Sequence, residues 1–523
     1  MHEDNVLAVV LIFILAAFSP AASAAQPTRA MTPAPFKAEP LGNGAVKIGP
    51  PNGTVIAVGG GAIESEVWKA FIDAAGGPDA LILDVPNNGI DKPESVAPKD
   101  AGQRLRENGA RNVHVLFTQN RKVANSDAFT AIIKKAKGIW FDGGRQYLGI
   151  RAYAGTKSER AFRGVLERGG VIGGTSAGMA VLGDFLVRGA PSSNNYIEDY
   201  PGSDKGFGFL RNTAADMHVV ARERLPDLTS VIARYPNLLG ISADEGTAWF
   251  IHGDVGHIIG RGKAFVYNGR GANDPGVPYL TLYPGDAYDL YTRRVVSRAA
   301  DKSPVTNQFI MSLFNKYDAR RLGGATVLIA QNGNVFVDRA FGIPEQTRYM
   351  PRTTLPQFPL GNITKTFTSL CAQLPNRSGA LRGGAQPVFY SSPLQECVAR
   401  LSTAVGMHQT TASRSDEVAS NVDELYRLAR GLESPTTWPK ANYSKGWAVD
   451  TFDDVERFAA YATTDGKRAA FVRIPSRHAT VIVLTNDPSA DARGMSDRIL
   501  HKLLRAPEQR SSHEPALAAR SPK

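Results

Sequence analysis

Short apolar runs alternate with amphipathic stretches through the N-terminal half of the chain. Thr54–Val58, Ala80–Asp84, Asn112–Phe117 and Gly138–Asp142 are mostly apolar runs, while Glu64–Ala75 and Phe129–Ala136 carry apolar residues at helical spacing. Strands that are apolar throughout have both faces covered, and strands separated by helices build a mainly parallel sheet with flanking helices, an α/β arrangement. In such sheets the chemistry collects beyond the carboxyl ends of the strands. Gly143 and Gly144 fall at one predicted strand end. At another, the run Val171–Thr175 enters Ser176, and small and apolar residues leave it through Ala177–Leu182. That is a strand, a sharp turn and a helix. It lifts the Ser176 hydroxyl off the sheet edge and sets backbone N–H groups beside it. Ser176 is therefore a candidate nucleophile, and it needs a base, an orienting carboxylate and an oxyanion hole.

A second pattern begins near Pro304. Ala287–Ser303 is rich in charge and reads as the end of one domain plus a linker. Ala325–Ala330 and Val335–Asp338 flank an Asn-Gly turn and predict a hairpin. Thr364–Leu374 and Val422–Gly431 have helical spacing, and Ala469–Ile474 with Ala479–Thr485 read as a closing strand pair. A chain of 523 residues is too long for one ordinary core. The expected domains are residues 51–295 and 304–505, with a Pro-rich linker at 25–50 and a disordered polar tail at 506–523. Val6–Phe18 is apolar and is followed by Ala22-Ser23-Ala24, which predicts a signal peptide over 1–24 although no Lys or Arg precedes the run. The run is short for a membrane span. A secreted or periplasmic protein is expected, with no membrane span after processing.

An apolar fraction of 43% and 51 glycines fit a globular protein. The net charge of +11 reads as solubility, with attraction to an anionic polymer as the alternative. No dense basic cluster is interleaved with aromatics, so nucleic acid is not an expected partner. Cys371 and Cys397 are the only cysteines and either pair or remain buried thiols. The loop Gly59–Gly61 suggests a dinucleotide site only weakly, because Glu64 stands where the fingerprint needs its third glycine.

Nine histidines are available as a base. His2 lies in the signal and His513 in the tail; His408, His478 and His501 fall in the second domain. His114 lies inside a predicted strand, and His252 and His257 flank a Gly-Asp turn. His218 ends the run Thr213–His218, with Arg222 and Arg224 beyond it, and is the candidate base. The alternative is a satisfied polar residue at a strand end. Asp244 and Glu245 follow the apolar run Leu238–Ile241 and are candidates for the carboxylate that orients the imidazole. A solvated turn is the ordinary alternative.

Five segments, in their order and spacing, resemble cyanophycinase and related serine exopeptidases. They are Gly138–Gln146, Gly173–Gly178, Gly206–Leu210, Asp216–His218 with Arg222 and Arg224, and Leu238–Ala248. The likeness extends over about Thr54–Tyr288. It implies a fold of the class I glutamine amidotransferase type. It also implies a triad of Ser176, His218 and Glu245, with an oxyanion hole from the N–H groups of Ala177 and Gly144. Hydrolysis through an acyl-enzyme with no metal or organic cofactor is implied in turn. The substrate would be a poly-aspartate polymer bearing arginine, cleaved to β-aspartyl-arginine. The resemblance assigns substrate binding to Gln146, Asp216, Arg222 and Arg224. Here the chain departs from the family, with Met217 in place of a glutamine, Asp227 in place of an arginine and Arg145 in place of an aspartate. Such changes alter substrate preference. Other aspartyl or isoaspartyl peptides are the alternative substrates, and a non-catalytic polymer-binding protein is the alternative class. A homodimer is compatible with this reading.

Leu322–Leu370 resembles the start of a serine β-lactamase or penicillin-binding domain. Gly323–Gly333 matches its opening hairpin and Leu360–Thr368 its S-x-x-K helix start, but Asn362 stands at the nucleophile position before Lys365. An amide does not do that chemistry. Tyr390–Ser392 resembles the tyrosine motif, and Thr464–Gly466 lacks the basic residue expected there. The likeness implies a degenerate α+β β-lactamase-like domain, either docking a polymer or serving as a structural appendage.

Overall fold

The computed structural model describes residues 36, 44–87, 92–191, 195–197, 204–269, 273–274, 277–320, 324–342, 357–374, 392–413, 416–433, 446–464 and 466–505. The expected signal peptide, most of the Pro-rich linker, Tyr390 and Ser391 of the tyrosine motif, and the tail from 506 lie outside the described residues. Phe36–Lys523 form one compact unit. No helix among the described residues is long and apolar enough to cross a membrane.

A nine-stranded sheet organises the N-terminal part. Its spatial order is Arg294–Ser297, Ala287–Asp289, Val255–Gly260, Thr247–His252, Thr54–Val58, Val171–Thr175, Gly138–Gly144, Ile82–Asn87 and Val113–Val115. The last five strands are parallel, and the first four continue the sheet antiparallel. Alternate residues of the parallel strands serve opposite cores. Val55, Ala57, Leu83, Val85, Ile139 and Phe141 enter one core. Ile56, Val58, Ile82 and Trp140 enter the other, with Val67, Trp68, Phe71 and Ile72 of the helix Ser65–Ala74. This two-residue alternation, buried on both sides, is why the strands read as continuous apolar runs. Two expected strands differ in extent. The run at 80–84 begins at Ile82 and continues to Asn87, and the run at 112–117 forms a strand only over Val113–Val115. The strand Arg294–Ser297 and a 3-10 turn at Ala299–Lys302 run past the expected domain edge at 295.

A second, five-stranded sheet runs Leu280–Leu282, Ala264–Tyr267, Leu239–Ala243, Leu210–Met217 and Gly183–Phe185. Its last three strands are parallel, with Met217 in register with Ala243. The residues that follow these two strands, His218 and Asp244-Glu245, therefore leave the sheet side by side.

The C-terminal part is built on a six-stranded antiparallel sheet in the order Asn334–Phe341, Ala325–Gln331, Ala479–Thr485, Lys467–Ile474, Val455–Thr464 and Ala448–Phe452. The expected hairpin is present. Asn332 and Gly333 both have positive φ, 52° and 78°, which matches the twist of a two-residue hairpin loop. One face of this sheet packs on the helices Asn307–Arg320 and Ala492–Leu504, and the other on Thr364–Cys371, Pro393–Val405 and Val422–Leu432. A disulfide joins Cys371 to Cys397, which resolves the two readings of that pair.

Buried ions cross between the two parts. Lys263 Nζ lies 2.6 Å from both Asp338 and Asp423, and Arg430 lies 3.0 Å from Glu66. Burial, joined by the charge of Asp338, pushes the Asp423 carboxyl up to about 6 despite Lys263. Removing one member of such a cluster strands the others in a low-dielectric site. Lys263→Met is expected to lower the free energy of urea unfolding by about 3 kcal/mol. A loss of under ~1 kcal/mol, the scale of an exposed pair, counts against this account.

Candidate active site

Three turns from two sheets meet at one point. Val171–Thr175 delivers Ser176 with φ 55° and ψ −119°, a conformation uncommon for a residue with a side chain. Its surroundings hold it there. The Ser176 N–H donates to the Val58 carbonyl (3.0 Å), and its own carbonyl accepts the Met179 N–H (2.9 Å) at the start of the short helix Ala177–Ala180. Ala177 is thus the first residue after the nucleophile turn. The Gly143-Gly144 end of the neighbouring strand lies alongside, with the Cβ position of Gly143 at 3.4 Å from Ser176 Cβ. Asn87 supports that end by donating to the Asp142 carbonyl (2.6 Å) and accepting the Arg145 N–H (2.9 Å).

His218 follows its strand with φ 56°, and its N–H donates to the Gly59 carbonyl (2.9 Å). Ser176 Oγ lies 2.7 Å from His218 Nε2, and His218 Nδ1 lies 2.5 Å from Glu245 Oε1. The consistent tautomer has the hydroxyl donating to Nε2 and Nδ1–H donating to the carboxylate. Burial works to raise the Glu245 carboxyl, but hydrogen bonds from His218 and His408 outweigh it and hold the group well below the usual carboxylate range. The imidazole thus faces a carboxylate whose charged form both hydrogen bonds favour. The Gly59–Gly61 loop forms the floor of this arrangement. A Cβ on Gly60 would lie 2.2 Å from His218 Cε1, and one on Gly61 2.4 Å from Glu245 Oε2. The glycines that resembled a nucleotide loop make room for the imidazole and the carboxylate.

The residues assigned to substrate binding are dispersed around this centre. Gln146 is buried and donates to the Val187 carbonyl (3.0 Å). Asp216 is fully buried and accepts two hydrogen bonds from Arg188, both at 2.9 Å. Asp227, at the charge-reversed position, lies 2.6 Å from the same guanidinium. Met217 is 3% exposed and belongs to the core. Arg222 is exposed, and Arg224 is half-buried. Burial, with the nearby Arg188 charge, lowers Arg224 to about 10. Among the described residues no group of three or more His, Cys, Asp or Glu is placed to hold a metal ion.

Sequence reasoning missed three residues here. Arg188 organises Asp216 and Asp227. His408, set aside with the second domain, and Arg427, within the expected helix Val422–Gly431, both reach the Asp244-Glu245 turn. A signal did exist for Arg427: Glu424, Arg427 and Arg430 share one face of the helix Val422–Leu432, yet that face is buried. A charged stripe at helical spacing ordinarily marks a solvated face.

Residues 55–259 match Peptidase family S51. A cyanophycinase of Synechococcus elongatus is 29% identical over 267 residues, covering 46% of this chain and 81% of that protein. One from Trichormus variabilis is 28% identical over 271 residues, covering 46% and 88%. Among solved structures, a peptidase from an acI-B1 Actinobacterium is similar at 21% identity and TM-score 0.36, covering 46% of this chain and 98% of that one.

Two outcomes are expected. Gly60→Ala displaces the His218 ring and lowers the rate at which Ser176 reacts with a fluorophosphonate by at least about 100-fold, read by intact mass. A rate near wild type contradicts the packing described. The second concerns Asp84, which lies behind the Gly143 loop near Asp142 and accepts the Gly102 N–H (2.6 Å). Burial and the Asp142 charge push Asp84 up to about 8. A carboxyl raised on folding contributes stability that is full below its unfolded value and lost as pH rises through the folded one. Asp84→Asn should therefore raise Tm relative to wild type by more at pH 9 than at pH 5, since the loss has only begun at pH 5 and is complete above the folded value. An equal effect at both pH values rejects the assignment.

Proposed function

We propose that this chain, whose residues 55–259 form a domain of peptidase family S51, hydrolyses cyanophycin to β-Asp-Arg dipeptides through a Ser176-His218-Glu245 triad. It is a serine-type exopeptidase, and its curated relatives are cyanophycinases. The observation that carries the triad is the unbroken chain from Ser176 Oγ to His218 Nε2 at 2.7 Å and from Nδ1 to Glu245 Oε1 at 2.5 Å.

In this reading Ser176 Oγ attacks the scissile carbonyl while His218 Nε2 takes its proton. Glu245 holds the tautomer and stabilises the imidazolium that forms. The N–H groups of Ala177 and Gly144 receive the oxyanion, whose charge develops only in the tetrahedral intermediate. His218 then protonates the departing amine, and the acyl-enzyme is cleaved by water that His218 activates. Arg222 and Arg224 lie just past the base and offer cationic partners for the substrate's carboxylates. Gln146 and Asp216, both buried, shape the walls from behind, the latter through Arg188.

A second reading, a peptidase for other aspartyl or isoaspartyl peptides, is favoured by one feature. Met217 is withdrawn into the core, and Asp227 neutralises Arg188, so two recognition groups expected of a cyanophycinase are missing. We also read residues 1–24 as an export signal. The Cys371–Cys397 disulfide supports this reading, since such bonds persist in oxidising compartments. The C-terminal part is read as a β-lactamase-like fold without its own nucleophile, Asn362 being exposed at the start of the helix Thr364–Cys371.

Purified protein incubated with cyanophycin should release β-Asp-Arg, and Ser176→Ala should reduce release to background. Release only from short isoaspartyl peptides selects the second reading. Undiminished activity in Ser176→Ala removes both.

A further inference from the structure

The sequence left the C-terminal part without a role at the site, but one of its loops reaches it. His408 lies two residues beyond Gly406, the left-handed cap of the helix Pro393–Val405. Its Nε2 lies 3.0 Å from Glu245 Oε2, the oxygen that His218 does not use. The loop behind it is anchored by one buried carboxylate. Glu424 Oε2 accepts the backbone N–H groups of His408 (2.7 Å), Gln409 (2.8 Å) and Thr410 (3.1 Å). Three backbone donors on one oxygen leave the His408 backbone little freedom.

A second connection runs parallel to the first. Arg427 donates to the Glu245 carbonyl (3.1 Å) through Nη1 and to Asp244 Oδ2 through Nη2. Asp244 Oδ1 in turn accepts the N–H groups of Val220 (3.1 Å) and Ala221 (3.0 Å), immediately after the base. The C-terminal part thus grips the carboxylate side chain, its backbone and the loop that follows His218.

We infer that His408 is a positioning residue for the peptidase site, acting through Glu245 to fix the orientation of His218. The inference rests on the triad reading above. The physical argument concerns rotation. A glutamate held at one oxygen turns easily about its terminal torsion, which is broad and two-fold. Held at both oxygens by imidazoles on opposite sides, it has one orientation. His218 Nδ1 then meets Oε1 without searching, so the base is preorganised when substrate arrives. His408 also shares the carboxylate's charge. Besides the two imidazoles, Arg261 and Arg427 face Glu245, and Asp244, Glu64 and Glu424 are their counter-ions. With His408 gone, more of the Glu245 charge falls on His218, which favours the imidazolium.

The test uses the full chain and a fluorophosphonate, so it needs no natural substrate. Labelling of Ser176 is followed by intact mass from pH 5 to 9, with Tm measured for each variant. Wild-type labelling establishes the nucleophile, and a folded wild type that does not label overturns the triad reading and this inference with it. Given that labelling, His408→Ala should lower the plateau rate about 10- to 100-fold, as loss of a positioning partner typically does, and move the acid limb to higher pH. His408→Gln, which keeps an N–H donor, should recover part of the rate. His501→Ala, which removes a half-exposed histidine 2.6 Å from Asp453, should match wild type. A folded His408→Ala with a wild-type rate and profile overturns the inference. So does an equal loss in Ala and Gln variants with no shift of the acid limb, the mark of a merely structural role. If His408→Ala does not fold, His408→Phe, which fills the space without a donor, is judged by the same outcomes.

Discussion

The hydrogen bond between His218 and Glu245 is where the constraints of this structure meet. Its two residues end adjacent parallel strands of the five-stranded sheet, and its outer partner, Ser176, ends a strand of a different sheet. Two sheets must therefore finish at the same place to within a hydrogen-bond length. The Gly59–Gly61 loop makes this possible, because the imidazole and the carboxylate occupy the space where side chains on Gly60 and Gly61 would sit. The unusual backbone at Ser176 and His218 follows from the same demand. Each turns sharply out of a strand so that side chains from separate layers converge.

Around that bond the structure spends an unusual density of buried charge. Arg427 with Asp244 and Lys263 with Asp338 and Asp423 cross the contact between the two parts, Arg261 with Glu64 lies beside it, and Arg188 with Asp216 and Asp227 forms a separate cluster within the N-terminal part. Buried ion pairs contribute little net stability relative to apolar packing, because desolvation offsets their attraction. They do penalise misplacement, since a displaced partner leaves an uncompensated charge. In the arrangement observed, His408 and Arg427 meet the Asp244-Glu245 turn. The C-terminal part is thereby coupled to the turn that carries Glu245.

Much of the site could be read along the chain, and the limit of that reading has a physical pattern. Ser176, His218 and Glu245 each follow an apolar run, and each sits at a strand end, where local periodicity is informative. The boundaries that differed belong to Ile82–Asn87 and Val113–Val115, the two strands at one end of the nine-stranded sheet, where the outermost has a single neighbour to reinforce the pattern. Met217 and Asp227 stood out as departures from a family pattern. What they do was not visible: one is withdrawn into the core, and the other pairs with an arginine 39 positions away. The two cysteines showed the same limit, since 26 positions of separation carry no distance in space.

The sequence by itself determined the strand and helix periods, the strand-to-helix turn at Ser176, the hairpin at Asn332-Gly333, and the strand ends that carry His218 and Glu245. These depend on interactions within a few residues, where side-chain spacing and backbone preference act directly. Only the tertiary structure decided that the glycine loop makes room for the His218 imidazole and the Glu245 carboxylate, that Asp216 holds Arg188, and that His408 reaches Glu245 from 163 positions away. Those outcomes rest on which buried charges find counter-charges when distant segments pack. That is a property of the whole compact unit, and no local window of sequence contains it.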